Sequence, residues 1–462
     1  MFRSLRREPG FYPRLWKLSL PMIMQNLITF SLGLIDTFMV SRLGNEEMAA
    51  VSTANVPVFL LLSVVFGVQS GLGILVSQYW GRGDLKSVSR ALGVAALLGT
   101  AITGLLAVVF FLFPVQVMDL LSNSHERSLL GAPYLRVIGF SYVFNMLSSI
   151  YASAQRSVEN PNFGMLVFGF STLLNTGLNY LFIFGRCGFP ALGVEGAAVA
   201  TLLARVSEFL ICAFCALRSR KIPLDLGLFF RPGREMVRRF LRYSSPVILN
   251  EAVWGMGNSL LTVILGYTDN SVEMLAANAV MGNLNRVLLV VCFGLGSATA
   301  VILGKAIGEG KRHAFVLDLG RALLWFTILV GGVLGLICLI LTPVFFVPVV
   351  FPMFKLYDES AAIAFALAVA NFLFFPFHAC STSAIVGILR GGGDVIWSTV
   401  LDNAPLWLVC LPVTALTALV LKTGVWPIVL SMQLENLVKF PFCVWRVGSG
   451  KWINDVTEGG TV

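Results

Sequence analysis

A chain of 462 residues that is 57% hydrophobic and only 12% charged departs from soluble domains, which carry about 25% charged residues. That balance excludes an ordinary soluble globule, a disordered chain and a small disulfide scaffold. The net charge of +9 is spread with few aromatic–basic clusters, which argues against nucleic acid as a partner and for the positive-inside rule of membrane proteins.

A bilayer core of about 30 Å needs about 20 apolar residues in helical form. Twelve such segments follow one another along the chain, at 15–40, 51–78, 91–113, 133–155, 163–184, 194–217, 240–266, 276–304, 321–348, 360–386, 396–421 and 424–446. The first seventeen residues are polar and lead into a segment long enough to span, so no cleavable signal peptide is expected. With the N-terminus inside, 25 basic residues fall on the inner side and 7 on the outer. That asymmetry places both termini in the cytoplasm of a cell-membrane protein. The most basic stretch, Arg218 to Arg242, reads as a linker between halves, giving expected lobes 1–222 and 223–462.

The halves resemble each other. At a shift of 225, Ser19, Pro21 and Ile23 meet Ser244, Pro246 and Ile248. At 227, Phe66, Gly67, Ser70, Gly81 and Gly83 meet Phe293, Gly294, Ser297, Gly308 and Gly310, and at 234 Arg156 meets Arg390. Matches at a steady shift point to duplicated structure. Six spans per half is an even number, so both halves enter the membrane in the same direction and the repeat is parallel. The expected fold is an all-α polytopic membrane protein of about twelve helices in two six-helix lobes, an arrangement suited to alternating access.

The residues themselves resemble the multidrug and toxic compound extrusion (MATE) family. The resemblance rests on Leu174-Asn175 through Asn179, then Phe182-Ile183-Phe184-Gly185, Gly188-Phe189-Pro190, Leu192-Gly193, Gly196-Ala197-Ala198 and Ala200-Thr201. Pro21 and Asp36, Ser77-Gln78 with Gly81, Ala154-Gln155-Arg156 and Gly387-Ile388-Leu389-Arg390-Gly391 extend it over almost the whole chain. It implies export of organic, often cationic, compounds driven by inward flow of H+ or Na+, and a V-shaped pair of lobes. It further implies that Asp36, Asn175, Asn179 and Thr201 are the cation-site positions of the N-terminal lobe. Some relatives carry aspartate where this chain has Asn179, which leaves H+ and Na+ both open. A lipid-linked-precursor flippase of the same broad superfamily and a polytopic membrane enzyme are the competing readings. The flippase would show a strongly cationic cavity, and the enzyme would show paired acids or a His–Asp constellation.

A carboxylate at mid-bilayer costs about 2.5–3.5 kcal/mol on insertion scales, so the intramembrane acids Asp36, Glu208, Glu251, Asp402 and Glu435 are functional candidates. Asp36 stands fifteen residues past Pro21, about 22 Å along a helix. Its neighbours Leu34-Ile35 and Phe38-Met39-Val40 offer no partner; either it reaches water at the outer interface or it binds a proton or a sodium ion. Asn175 and Asn179, at i and i+4, share a helix face, and their carbonyl oxygens are hard ligands for a small cation. Hydrogen bonding between helices is the plainer alternative. Glu251 is either a second coupling acid or half of an ion pair with Arg286; His378 and Asp402 complete the second-lobe candidates. Arg205 with Glu208, and Glu435 with Lys439, are spaced to neutralise one another within one helix. Pro21 allows the first helix to bend.

The eight cysteines lie nearly all in apolar runs and read as reduced core residues. Cys212 and Cys215 have CxxC spacing, but inside an apolar helix, where metal or redox chemistry is the minor reading. No GxxxxGK[ST] loop is present, so no nucleotide site is expected, and no cofactor beyond the coupling ion. The expected partners are small organic substrates and the lipid bilayer, with the protein acting as a monomer.

Overall fold

The computed structural model describes residues 10–122 and 124–457; Arg3, Arg6 and Arg7, counted on the inner side above, and the two chain ends assigned to the lobes lie outside them. All regular secondary structure among the described residues is helical, with no strand. In chain order the helices are α1 (Phe11–Ser41), α2 (Asn45–Arg82), α3 (Leu85–Leu112), α4 (Pro114–Asp119), α5 (His125–Ser157), α6 (Pro161–Phe184) and α7 (Gly193–Arg218). A short α8 (Leu226–Phe230) follows, then α9 (Arg234–Gly266), α10 (Ser271–Gly308) and α11 (His313–Met353). The chain closes with α12 (Asp358–Leu373), α13 (Phe375–Leu389), α14 (Val395–Val420) and α15 (Val425–Ser449).

Ten of these are long and apolar enough to cross a bilayer, and the pair α12 and α13, bent by 53° at one residue, supplies an eleventh. The expected tenth span is therefore broken rather than continuous. Pro376 sits in the first turn of α13, where a missing N–H is tolerated and the chain can change direction. The expected twelfth span is helical as α15, but Gln433, Glu435, Asn436 and Lys439 make it less apolar than the others.

The described chain falls into two compact units, Leu20–Ile248 and Leu249 onward, with the start of α1 through Ser19 grouped with the second. The first unit is centred on Val40, Ala54, Val58, Leu61, Leu135, Ile138 and Ala198. Small residues let its helices meet closely: a Cβ on Gly71 would lie 1.9 Å from Ser244 Oγ, and one on Gly93 1.9 Å from the Phe229 carbonyl oxygen. The second unit is built around Met274, Ala277, Ile363, Ala364, Leu367, Phe372 and Val429. After α15 the fully buried Trp452 covers Gly320 and Gly392, and its indole N–H donates to the Val447 carbonyl at 3.0 Å.

The internal repeat extends to the turns. Gly83 and Gly310, 227 residues apart, both have positive φ, at 78° and 66°. Each turn makes the same two bonds: Gly83 N–H to Trp80 O and Asp84 N–H to Tyr79 O, matched by Gly310 to Ile307 and Lys311 to Ala306, all at 2.9–3.1 Å. This is the Schellman closure that favours glycine. The turn after α5 and the turn after α13 correspond at a shift of 234: Glu159 (φ 58°) matches Gly393 (φ 82°). Asn160 N–H donates to Gln155 O and Asp394 N–H to Leu389 O, both at 2.8 Å. These shared turns are harder to obtain by chance than apolar matches.

Candidate functional site

In the Leu20–Ile248 unit, α1, α6 and α7 bring together the four residues expected of the N-terminal site. Asn179 Nδ2 donates to Asp36 Oδ1 at 2.5 Å and to Asn175 Oδ1 at 3.0 Å. Asn175 Nδ2 donates to Thr201 Oγ1 at 3.1 Å, and the threonine hydroxyl passes on to the Ala197 carbonyl at 3.0 Å. The i, i+4 spacing puts both asparagines on one face of α6, and both are buried, so their amides form a relay that ends on the carboxylate of α1. Asn179 Oδ1 has no hydrogen-bond partner among the described atoms, and Asn179 is 0% exposed. A buried carbonyl oxygen left over in this way calls for a ligand. With the Asp36 carboxylate, the Asn175 amide and the Thr201 hydroxyl it makes a set of hard oxygens that suits a small cation.

Further charged and phenolic groups stand around the relay. Arg205 on α7 pairs with Glu208 at 2.7 Å, side chains 13% and 0% exposed, as the i, i+3 spacing predicts. Arg205, Tyr134 and Tyr142 lie within electrostatic reach of Asp36. Counting Asp36, Glu208 and Arg205, the cluster carries one net negative charge. Pro21 lies inside α1, on the same helix as Asp36.

The second unit holds a larger network. Glu251 accepts from Arg390 Nη2 at 2.9 Å. Asn250, the residue before it, donates to Asp402 Oδ2 at 2.9 Å and accepts from Asn403 at 2.6 Å. Lys439 lies between two carboxylates, 2.8 Å from Asp402 and 2.6 Å from Glu435, and Trp254 Nε1 donates to Glu435 at 3.3 Å. Glu435 and Lys439 thus pair as their spacing predicts, and Asp402, on α14, joins them from another helix. His378 stands within electrostatic reach of Glu435, Lys439 and Asp402.

One expected pairing is corrected. Glu251 pairs with Arg390, while Arg286 is exposed and forms no ion pair among the described residues. A guanidinium buried as deeply as Arg390, 2% exposed, needs a carboxylate, whereas an exposed Arg286 does not. Arg390 was visible in the sequence as the repeat partner of Arg156 and within Gly387–Gly391, but nothing local marked its partner.

The cysteines of the described residues are free thiols, and only Cys187 is exposed. No cluster of metal-binding side chains occurs among the described residues, Cys212 and Cys215 included.

A family model described as MatE matches the chain twice, over residues 21–181 and 246–416. The starts differ by the same 225 residues as the Pro21–Pro246 correspondence, and the ends by 235, close to the 234 of Arg156 and Arg390. Among curated proteins, "Probable multidrug resistance protein YoeA" of Bacillus subtilis is 25% identical over 96% of both chains. "Probable multidrug resistance protein NorM" of Thermotoga maritima is 24% identical over 96% of this chain and 94% of its own. A solved structure described as MATE in complex with MaL6 superposes with a TM-score of 0.84 at 20% identity, covering 97% of this chain and 98% of that one. An outward-facing multidrug resistance MATE family transporter superposes with a TM-score of 0.82 over the same shares at 20% identity.

Proposed function

Since the chain belongs to the MatE family, a family of transporters rather than enzymes, we propose that it is a secondary antiporter that exports organic, often cationic, compounds in exchange for H+ or Na+. The observation that carries this reading is the relay from Thr201 through Asn175 and Asn179 to Asp36, with the buried Asn179 Oδ1 left unpaired. A cluster with one net negative charge is neutralised by one monovalent cation, whether a proton on the Asp36 carboxyl or a sodium ion among the oxygens. Neutralisation removes the charge that Asp36 presents to the α6 amides and favours a rearranged α1, with Pro21 as the point where the backbone gives. Moving one charge through about 150 mV supplies about 3.5 kcal/mol, enough for about a 300-fold substrate gradient.

The same reading divides the chain into lobes 1–222 and 223–462. It places both termini in the cytoplasm, the protein in the plasma membrane as a monomer, and Glu251, Asp402 and His378 as the second-lobe groups that respond to substrate or ion.

Reconstitution into proteoliposomes tests the scheme. Export of a fluorescent organic cation is measured under an imposed pH gradient and, separately, an imposed sodium gradient, for the parent and for Asp36→Asn. One of the two gradients drives uphill export in the parent and neither drives it in the variant. Uphill export by Asp36→Asn at the parent rate refutes the assignment of Asp36, and movement under neither gradient refutes antiport.

A further inference from the structure

Outside the relay and the charged network, the first unit has a cavity of about 300 Å³ where the end of α2, the start of α3 and the start of α9 meet. Its charged lining is Arg90, Arg231, Arg234, Arg239 and Glu235. Arg239 is engaged, donating to Tyr79 Oη at 2.8 Å and to Glu235 at 2.7 Å. The only acid in the lining is therefore already paired. Of the acids on the neighbouring turns, Asp84 accepts from Ser87 and Asp225 accepts from the Leu228 N–H at the start of α8, and neither forms an ion pair with these arginines among the described residues. Arg90, Arg231 and Arg234 form no ion pair among the described residues, so three guanidiniums converge on one cavity with no paired carboxylate among those residues. Four arginines against one carboxylate leave the lining at +3. The first turn of α9, a 33-residue helix, adds unpaired backbone N–H groups at the same place.

The segment leading into this cavity is apolar on its outer side. In α8, Leu226 is 53% and Phe230 64% exposed, immediately before Arg231. The other face of α8 is held against the membrane helices, where the Phe229 carbonyl rests on Gly93. A short helix fixed to the bundle with apolar side chains outward, next to unpaired arginines, matches the interface between headgroups and acyl chains.

We propose that Arg90, Arg231 and Arg234 bind the phosphodiester headgroup of an anionic phospholipid, with Leu226 and Phe230 against its acyl chain. A free phosphate shares the anion but not the tail, and the exposed apolar pair favours the lipid. The site lies on the linker side of the first unit, so a bound lipid ties the segment between the halves to the membrane surface.

The test uses the full chain, stripped of lipid in detergent, with native mass spectrometry as the readout. The probes are a short-chain phosphatidylglycerol, the matching phosphatidylcholine and inorganic phosphate. Phosphatidylglycerol binds and phosphatidylcholine does not at equal concentration, and inorganic phosphate does not displace the bound lipid. At about a factor of five per basic side chain, Arg90→Gln/Arg231→Gln/Arg234→Gln weakens phosphatidylglycerol about 100-fold. Lysine at the same three positions keeps most of the affinity, which shows that loss in the glutamine variant is loss of charge and not of fold. Lys311→Gln/Arg312→Gln, basic residues before α11, leaves binding unchanged. Equal retention by the glutamine variant, equal binding of phosphatidylcholine, or displacement by inorganic phosphate each overturns the proposal.

Discussion

Lys439 offers a direct test of how the second unit is held together. Its ammonium is 3% exposed and touches two carboxylates, Asp402 at 2.8 Å and Glu435 at 2.6 Å. At an effective dielectric of about 20, each contact near 2.7 Å is worth about 6 kcal/mol of gross attraction. Burying the three charges costs several kcal/mol per ion, so the net value is far smaller than the sum. Lys439→Met removes the cation and leaves two carboxylates facing each other in a buried site, one from α14 and one from α15. Breaking a buried pair in this manner costs about 3–5 kcal/mol. The assay is unfolding in a dodecyl sulfate titration, followed by loss of helical signal. The methionine variant unfolds earlier by that amount, and Asp402→Asn/Glu435→Gln in the same background restores most of it, because the stranded charges are gone. A Lys439→Met protein within about 1 kcal/mol of the parent, against the 3–5 expected, refutes the reasoning. So does a triple variant no better than the single one.

Asn179→Ala removes the 2.5 Å bond to Asp36. A hydrogen bond to a charged group is worth about 1.5–3 kcal/mol, so the coupling-ion concentration for half-maximal export shifts by about 10- to 100-fold; a shift under twofold counts against the relay. Gly71→Ala forces a Cβ to 1.9 Å from Ser244 Oγ and destabilises the first unit by about 1–3 kcal/mol in the same titration. Gly104→Ala, on α3 with nothing within 4 Å of its new Cβ, stabilises by up to about 1 kcal/mol through helix propensity. If the two alanine variants behave alike, close packing of α2 against α9 does not contribute as described.

Hydrophobic runs, the 25-to-7 distribution of basic residues and the shifted matches were all readable along the chain. A membrane helix must satisfy its own backbone and span a fixed thickness, so local composition is enough to locate it. The i, i+3 and i, i+4 pairs, Arg205 with Glu208 and Glu435 with Lys439, followed from helix geometry alone. The partners contributed by other helices did not: Arg390 for Glu251, Asp402 as the second acid on Lys439, and Arg205, Tyr134 and Tyr142 around Asp36. Each depends on which faces of separate helices meet, 37 residues apart for Asp402 and Lys439 and 139 for Glu251 and Arg390, and helix periodicity says only that a face is polar. The break between α12 and α13 was hidden for a related reason, since an apolar run reads the same whether its axis is straight or bent by 53°. Composition and spacing thus determined where the apolar helices run and what the chain resembles. Packing decided which charges neutralise one another, because a buried charge takes whichever partner the neighbouring helix presents.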